Sequence, residues 1–468
     1  RLNIFTTKAG GKVNYSLEFK KQYVQENGTF YIYSGGFINV PSKYKKLDSD
    51  DNLVIDKSYF KDFPKAMVKS GNTLIIKPDA YSLNEKTIQP QAAMVVVEVG
   101  SGKIKAMVGG RGQSGSRLYN RALNPRQAGS SIKPLSVYGA ALQKSFDYAE
   151  KGETWPFVDY KHDKQGVKSY GSYLTASSTI VDEQMTFNGK VWPKNASNSF
   201  TGPVTMRKGL QQSINTIAVK IQLQVGNEYS ADMLKKFGLT TIVTKGDTSD
   251  MNSAALALGG LTNGVIPLEM AQAYATFPNG GVRQSSIAYT KVTDRHGKVL
   301  LKSKSKKKKV MDEGVAFIMT DMLRTVVSNG IAGAASISGV QAGGKTGTTN
   351  SNYDIWFDGF TPNYAASLWI GTDVNIKLSS MSGMAARLWG RIMNQVPNAK
   401  NGKYKSMPND VVKVGSEYYT KGTEKGRSTY VQPKPTPQQK QYEEDDDTDD
   451  DTSQSSSNTN SGPTIPGA

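Results

Sequence analysis

Strand-forming segments stand at both ends of the main part of this chain and helix-forming segments fill the interval, an order that makes the two ends share one sheet. At the near end, residues 93–99 and 103–108 read as two buried strands joined by a hairpin at Gly100-Ser101-Gly102. At the far end, residues 355–360 and 365–372 read as two more. Between them, apolar spacing predicts helices over 131–144, from 205 to a break at Ser213-Ile214-Asn215, and over 216–225, 267–277 and 315–327. A last helix follows near 385–396. The expected fold class is α/β of the α+β type, a sheet with packed helices and a separate helical part, with any reactive groups lying between the two.

A chain of 468 residues exceeds one small core. Residues 1–90 hold short alternating runs, such as Thr29-Phe30-Tyr31-Ile32-Tyr33, and read as a strand-rich module. Residues 91–400 are the main domain, 401–432 a small β appendage, and 433–468 a disordered acidic tail. No apolar run reaches the roughly 20 residues of a membrane span. The chain starts at Arg1 without a signal pattern, which reads as a piece of a longer precursor whose membrane anchor lies in the absent segment. The absence of Cys excludes disulfides and thiolate zinc sites and fits a Gram-positive-like envelope. Net charge is +18, and with eight acids and no base from Gln441 onward the body is more basic still. Such a body attracts polyanions. No helix-turn-helix, zinc-finger or RNP pattern favours nucleic acid, which leaves anionic envelope polymer or lipid headgroups. A hairpin over 288–301 runs into the lysine block 302–309, either part of that surface or a solvated loop.

His162 and His296, the two histidines, stand in polar turns, which disfavours a Ser-His-Asp triad or a His-rich metal site. Another base must then serve any nucleophile. Ser130 and Lys133 share one face at the start of a helix, and a Lys amine becomes a base once burial and a neighbouring cation lower its proton affinity. The spacing alone is cheap, because S-x-x-K recurs at Ser42, Ser58, Ser303 and Ser305, and S-x-N recurs besides Ser213-Ile214-Asn215. Lys345-Thr346-Gly347-Thr348 occurs once. Its glycines, with Gly343 and Gly344, suit a strand edge that a substrate backbone approaches, and its Lys and Thr suit a carboxylate. A Gly-rich turn is the other reading of the same residues. The specific signal is the order: S-x-x-K at a helix start, S-x-N after another helix, K-T-G-T on a strand after the helical part.

That order, together with Arg126-Gln127-Ala128-Gly129-Ser130-Ser131-Ile132-Lys133-Pro134, Gly202-Pro203-Val204-Thr205-Met206-Arg207, Gly264-Val265-Ile266-Pro267-Leu268-Glu269-Met270-Ala271 and Asp354-Ile355-Trp356-Phe357-Asp358-Gly359-Phe360-Thr361-Pro362, closely resembles the transpeptidase half of a class A penicillin-binding protein from about Gln91 to Gln395. Ala128 and Phe360 depart from the Pro and Tyr that relatives often carry. The resemblance implies a β-lactamase/transpeptidase-like sheet, a peptidoglycan D,D-transpeptidase that β-lactams acylate, and no cofactor or metal. It implies Ser130 as nucleophile, Lys133 as base, Ser213 as proton relay, Asn215 as holder of a substrate amide and Lys345 as fixed charge. Thr346, Gly347 and Thr348 would line the substrate carboxylate, and backbone N–H groups of Ser130 and Thr348 the oxyanion hole. Stem peptides and β-lactams are the implied partners, at the outer face of a membrane. The family's glycosyltransferase half has no motif in residues 1–90, which resemble the linker module between the two halves. A D,D-carboxypeptidase, a β-lactamase-like hydrolase and a non-catalytic β-lactam sensor or wall-binding module remain as alternatives; the missing E-x-x-L-N motif between Ser130 and Lys345 speaks against rapid hydrolysis.

Overall fold

The structure is a computed structural model that describes residues 2–426 apart from short breaks within the first 85 residues, residues 113–118 and 158–170, and positions 188 and 380. The chain divides into Arg1–Thr429 and Tyr430–Ala468. The expected acidic tail and His162 lie outside the described residues.

The two ends of the main domain do share a sheet. Strands β1 (Gln91–Glu98) and β2 (Ile104–Val108) form the near hairpin, and β3 (Gly343–Thr348), β4 (Asp354–Phe360) and β5 (Tyr364–Gly371) come from the far end. Their order is β2-β1-β5-β4-β3, antiparallel throughout. The closure is β1 against β5, in register from Gln91 opposite Gly371 to Glu98 opposite Tyr364. This leaves β3, the K-T-G strand, at an edge. Both β4 and β5 are buried along their whole length because helices cover both faces, which is why they read as near-continuous apolar runs.

The helices are α1 (Gly139–Glu150), α2 (Met206–Gln211), α3 (Asn215–Val225), α4 (Asn227–Phe237), α5 (Ser253–Leu258), α6 (Pro267–Tyr274), α7 (Glu313–Ser328) and α8 (Gly383–Met393). On one side α6 packs against β1, β4 and β5. On the other, Trp389 of α8 meets Phe357 edge-on at 5.0 Å and donates its indole N–H to Ala366 O at 3.0 Å. Two helices, α4 and α5, fall where the sequence was read without one. Both end at left-handed glycines, α4 at Gly238 (φ 95°) and α5 at Gly259 (φ 79°), while α4 starts after Gly226 (φ 87°) and α5 is capped by the Asn252 side chain.

The helix expected over 131–144 is three pieces. A 3-10 turn (Gly129–Ile132) and a π turn (Pro134–Tyr138) precede α1. Pro134 has no N–H for an α-type ladder, and Gly139 instead donates its N–H to Pro134 O, an approach open only to glycine because a Cβ there would lie 2.6 Å from that oxygen. Ser130 therefore sits on a tight 3-10 turn rather than on the α-helix proper.

At residues 1–90 small sheets replace a single layer, one of Leu2–Ala9, Lys12–Phe19, Gly36–Ile38 and Tyr81–Leu83, another of Gln22–Glu26, Thr29–Tyr33 and Lys86–Ile88. The hairpin Val411–Val414/Glu417–Thr420 occupies the expected appendage, where Glu417 and Asp321 of α7 both pair with Arg207 of α2.

Backbone contacts between glycines hold the Ser130 turn against both neighbours. A Cβ on Gly259 would lie 2.2 Å from Gly129 O, and one on Gly129 (φ 53°) would lie 2.3 Å from Thr348 O. Gly259→Ala, strained in φ and blocked by backbone, should lose about 1–3 kcal/mol in urea unfolding. Unchanged stability would show that the three backbones are not in contact.

Candidate active site

Three segments converge between the sheet and the helical part. The 3-10 turn brings Ser130, partly exposed, and Lys133, fully buried. The turn between α2 and α3 brings Ser213 and Asn215, and edge strand β3 brings Lys345, also fully buried. Ser213 is held at φ 57°, a left-handed value that a serine adopts only when its surroundings impose it. The imposition is visible: Ser213 N–H bonds Leu210 O, Ile214 N–H bonds Gly209 O, and Asn215 N–H bonds Asn195 Oδ1 at 3.0 Å. Asn195 is fixed in turn by Asp182 at 2.8 Å. Asn195 and Asp182 are supporting residues that the sequence reading missed, since neither stands in a recognisable motif.

The two lysines meet on Ser213. Lys345 Nζ donates to Ser213 Oγ at 2.8 Å, Thr346 O at 3.0 Å and Thr346 Oγ1 at 3.3 Å. Three acceptors match the three N–H bonds of an ammonium. Lys133 Nζ donates to Asn215 Oδ1 at 2.7 Å and Ser213 O at 2.9 Å, with Ser213 Oγ farther off at 3.4 Å. Each lysine thus has three acceptors within 3.4 Å, and it is burial and mutual charge, not the number of contacts, that distinguishes them. Burial, and then the charge of Lys345, holds Lys133 well below the ordinary lysine value; burial lowers Lys345 to about 7.

The glycines of the K-T-G strand have a packing role. A Cβ on Gly347 would lie 2.4 Å from Ala128 O and 3.1 Å from Ser131 Cβ, and those on Gly343 and Gly344 would strike the rings of Phe360 and Phe357. They allow the strand to press against the Ser130 turn and its own sheet. Thr346 is buried with its hydroxyl against Lys345, whereas Thr348 is partly exposed. Asn215 uses Nδ2 on Lys194 O at 2.8 Å as well as Oδ1 on Lys133, so one N–H and one lone pair remain for a ligand. Behind the site, Trp356 donates to Gln127 O at 2.7 Å and Tyr274 to Ser131 O at 2.6 Å, which lock the turn to β4 and α6. His296 lies exposed at the tip of the hairpin Lys291–Thr293/Val299–Lys302, paired with Arg295. Among the described residues no group of three His, Cys, Asp or Glu is placed to hold a metal, and no helix is long and apolar enough to cross a membrane.

Comparison with known proteins gives the family and the fold. Residues 173–394 match the family model of the penicillin binding protein transpeptidase domain, a stretch that contains Ser213, Asn215 and Lys345 but not Ser130 or Lys133. Penicillin-binding protein 1A of Clostridium botulinum is 39% identical over 337 residues, 70% of this chain and 38% of the relative. The chain thus spans well under two thirds of that protein's length. Crystallised penicillin-binding protein 1A of Haemophilus influenzae has the same fold, with TM-score 0.59 and 24% identity over 89% of this chain and 64% of that one. So does PonA1 of Mycobacterium tuberculosis, solved in complex with penicillin V, with TM-score 0.53 and 19% identity over 71% of this chain and 83% of that one.

A neutral buried lysine leaves a mark on stability. Lys133 binds its proton less tightly folded than unfolded, so its contribution is complete above pH 10.5 and is lost as pH falls toward the lowered folded value. Relative to Lys133→Met, the unsubstituted protein should lose stability, by up to about 1.4 kcal/mol per pH unit, as pH falls below 10.5 toward the lowered folded value. Parallel stability curves for the two proteins would mean that Lys133 keeps its proton in the fold.

Proposed function

Because the chain belongs to the penicillin-binding proteins through its transpeptidase domain, we propose that it is a serine D,D-transpeptidase that cross-links peptidoglycan stem peptides and is acylated and inhibited by β-lactams. The observation that carries this reading is the meeting of two buried lysines on Ser213, one of them, Lys133, carried at the end of the same 3-10 turn as Ser130. Ser130 Oγ bonds to the carbonyl carbon of the penultimate D-Ala while its proton passes to the Lys133 amine. The C–N bond to the terminal D-Ala then breaks as Ser213 passes its hydroxyl proton to the departing amine and takes in its place the proton that Lys133 received, which returns Lys133 to the neutral amine. An acceptor amine attacks the acyl-enzyme and gives a proton to Lys133, and Lys133 returns it to the Ser130 oxygen as the ester bond breaks. Backbone N–H groups of Ser130 and Thr348, whose segments touch at Gly129, serve the oxyanion. Asn215 offers its remaining N–H and lone pair to a substrate amide, and Lys345 with Thr346, Gly347 and Thr348 reads the terminal carboxylate. The antiparallel edge of β3 suits a peptide laid alongside as an added strand.

Residues 1–90 act as linker module, 91–400 as transpeptidase domain and 401–432 as appendage, with the enzyme held at the outer face of a membrane through a further segment. Its second partner is anionic envelope polymer or lipid. That part rests on the hairpin, where Leu300 and Leu301 are exposed beside exposed lysines from Lys298 to Lys309. Neutralising Lys304, Lys306, Lys307 and Lys308 should weaken salt-sensitive binding to anionic vesicles or wall polymer, and equal binding would show a merely solvated loop.

The reaction is tested with a thioester donor that mimics D-Ala-D-Ala and an acceptor D-amino acid. Transfer to the amine should exceed hydrolysis, and Lys133→Ala should slow transfer and penicillin acylation alike by about 10²- to 10⁴-fold. Hydrolysis that ignores the acceptor would point to a carboxypeptidase instead.

Thr348 supplies the finer test. Thr348→Val removes a hydroxyl and keeps shape and backbone N–H, so acylation by carboxylate-bearing penicillins should slow by about one to two orders of magnitude, from a charge-assisted bond of roughly 1.5–3 kcal/mol. A thioester lacking the carboxylate should react nearly unchanged; equal slowing of both would deny the hydroxyl that role.

A further inference from the structure

Asp358 is a buried acid that the reaction scheme leaves unused. It lies in the middle of β4, fully buried, directly opposite Lys345 on β3 and Ser367 on β5. Cross-strand partners point to the same face, so Asp358 and Lys345 turn together toward the Ser130 turn. Both carboxylate oxygens of Asp358, and Ser367 Oγ beside them, lack a hydrogen-bond partner among the described residues. A buried polar group left so is costly, and three in one place call for a reason.

The surroundings are ready for either charge state. The Ser131 hydroxyl donates to Ala128 O at 3.0 Å, yet Ser131 and Ser367 are the two hydroxyls that stabilise an ionised Asp358. Burial works against them and raises the carboxyl to about 7. Tyr274 of α6 also faces the group; burial first, and then the Asp358 charge, keeps its phenol protonated far into alkali. Lys345 comes from β3, and Lys133 feels Lys345 in turn.

Lys345 has the matching difficulty. Its three acceptors are those of an ammonium, but each is neutral, and burial alone would take its proton near neutral pH. We propose that Asp358 is a positioning residue for acyl transfer, the buried counter-charge that ionises as pH rises and so keeps Lys345 cationic. The proposal rests on the transpeptidase reading. As the Asp358 proton leaves, its negative charge strengthens proton binding at Lys345, and the Ser131 and Ser367 hydroxyls turn to the carboxylate. Lys345 then remains an anchor for a substrate carboxylate and keeps Lys133 neutral over a wider pH range.

The experiment is the second-order rate of acylation by benzylpenicillin between about pH 6 and about pH 9, for the unsubstituted protein, Asp358→Asn and Ser367→Ala. Asp358→Asn keeps size and hydrogen bonding but cannot ionise. Its rate should lie within about threefold of the unsubstituted protein at the acid end and fall about tenfold or more below it at the alkaline end. Ser367→Ala, with one donor to the carboxylate removed, should show a smaller loss confined to the middle of the range. A rate ratio that stays constant with pH would assign Asp358 a structural role only and overturn the proposal. No penicillin adduct on the unsubstituted protein at any pH would instead remove the acyl-transfer reading, and the proposal with it.

Discussion

Two fully buried lysines, brought from opposite sides of the domain to one serine hydroxyl, are the constraint on which the rest of the structure depends. Neither has a carboxylate in hydrogen-bond contact, so burial presses both to give up a proton, and their mutual repulsion settles which one does. Each lysine finds three neutral acceptors, and they share the Ser213 hydroxyl. A buried pair of like charges would be a defect in an ordinary core. Here it lowers the proton affinity of Lys133, which is what a serine without a histidine partner would need of its base.

Much of the framework serves to hold that pair. Lys133 is carried on a turn that glycines at 129, 259 and 347 allow to touch the backbones beside it. Lys345 lies on an edge strand that is in place only because β4 and β5 connect it to β1. Ser213 is kept in a left-handed conformation by the turn joining α2 and α3. The three pieces are far apart in sequence. Their junction therefore depends on the whole sheet-and-helix closure.

The sheet was legible in the sequence because its strands are apolar runs at both ends of a helical interval. The site was legible through motif order, since no single triplet was specific. What could not be read were effects of tertiary contact. Nothing local in residues 129–139 distinguishes a 3-10 turn followed by a π turn from a plain helix; only the close approach of Gly139 N–H to Pro134 O does. That the K-T-G glycines make room for Ala128 and two Phe rings could not be read from the triplet. Asp182 and Asn195 entered through hydrogen bonds to the start of α3, which periodicity cannot foresee. Asp358 resembled any polar residue interrupting a strand, and its burial opposite Lys345 follows only from register.

The account stands on Ser130 being the residue that the neutral lysine activates. Peptide mapping by mass spectrometry after incubation with benzylpenicillin tests this directly. One penicilloyl group should be found on the peptide that contains Ser130, and Ser130→Ala, folded as judged by thermal unfolding, should carry none. An adduct on another serine, or one that persists in the folded Ser130→Ala protein, would contradict the account.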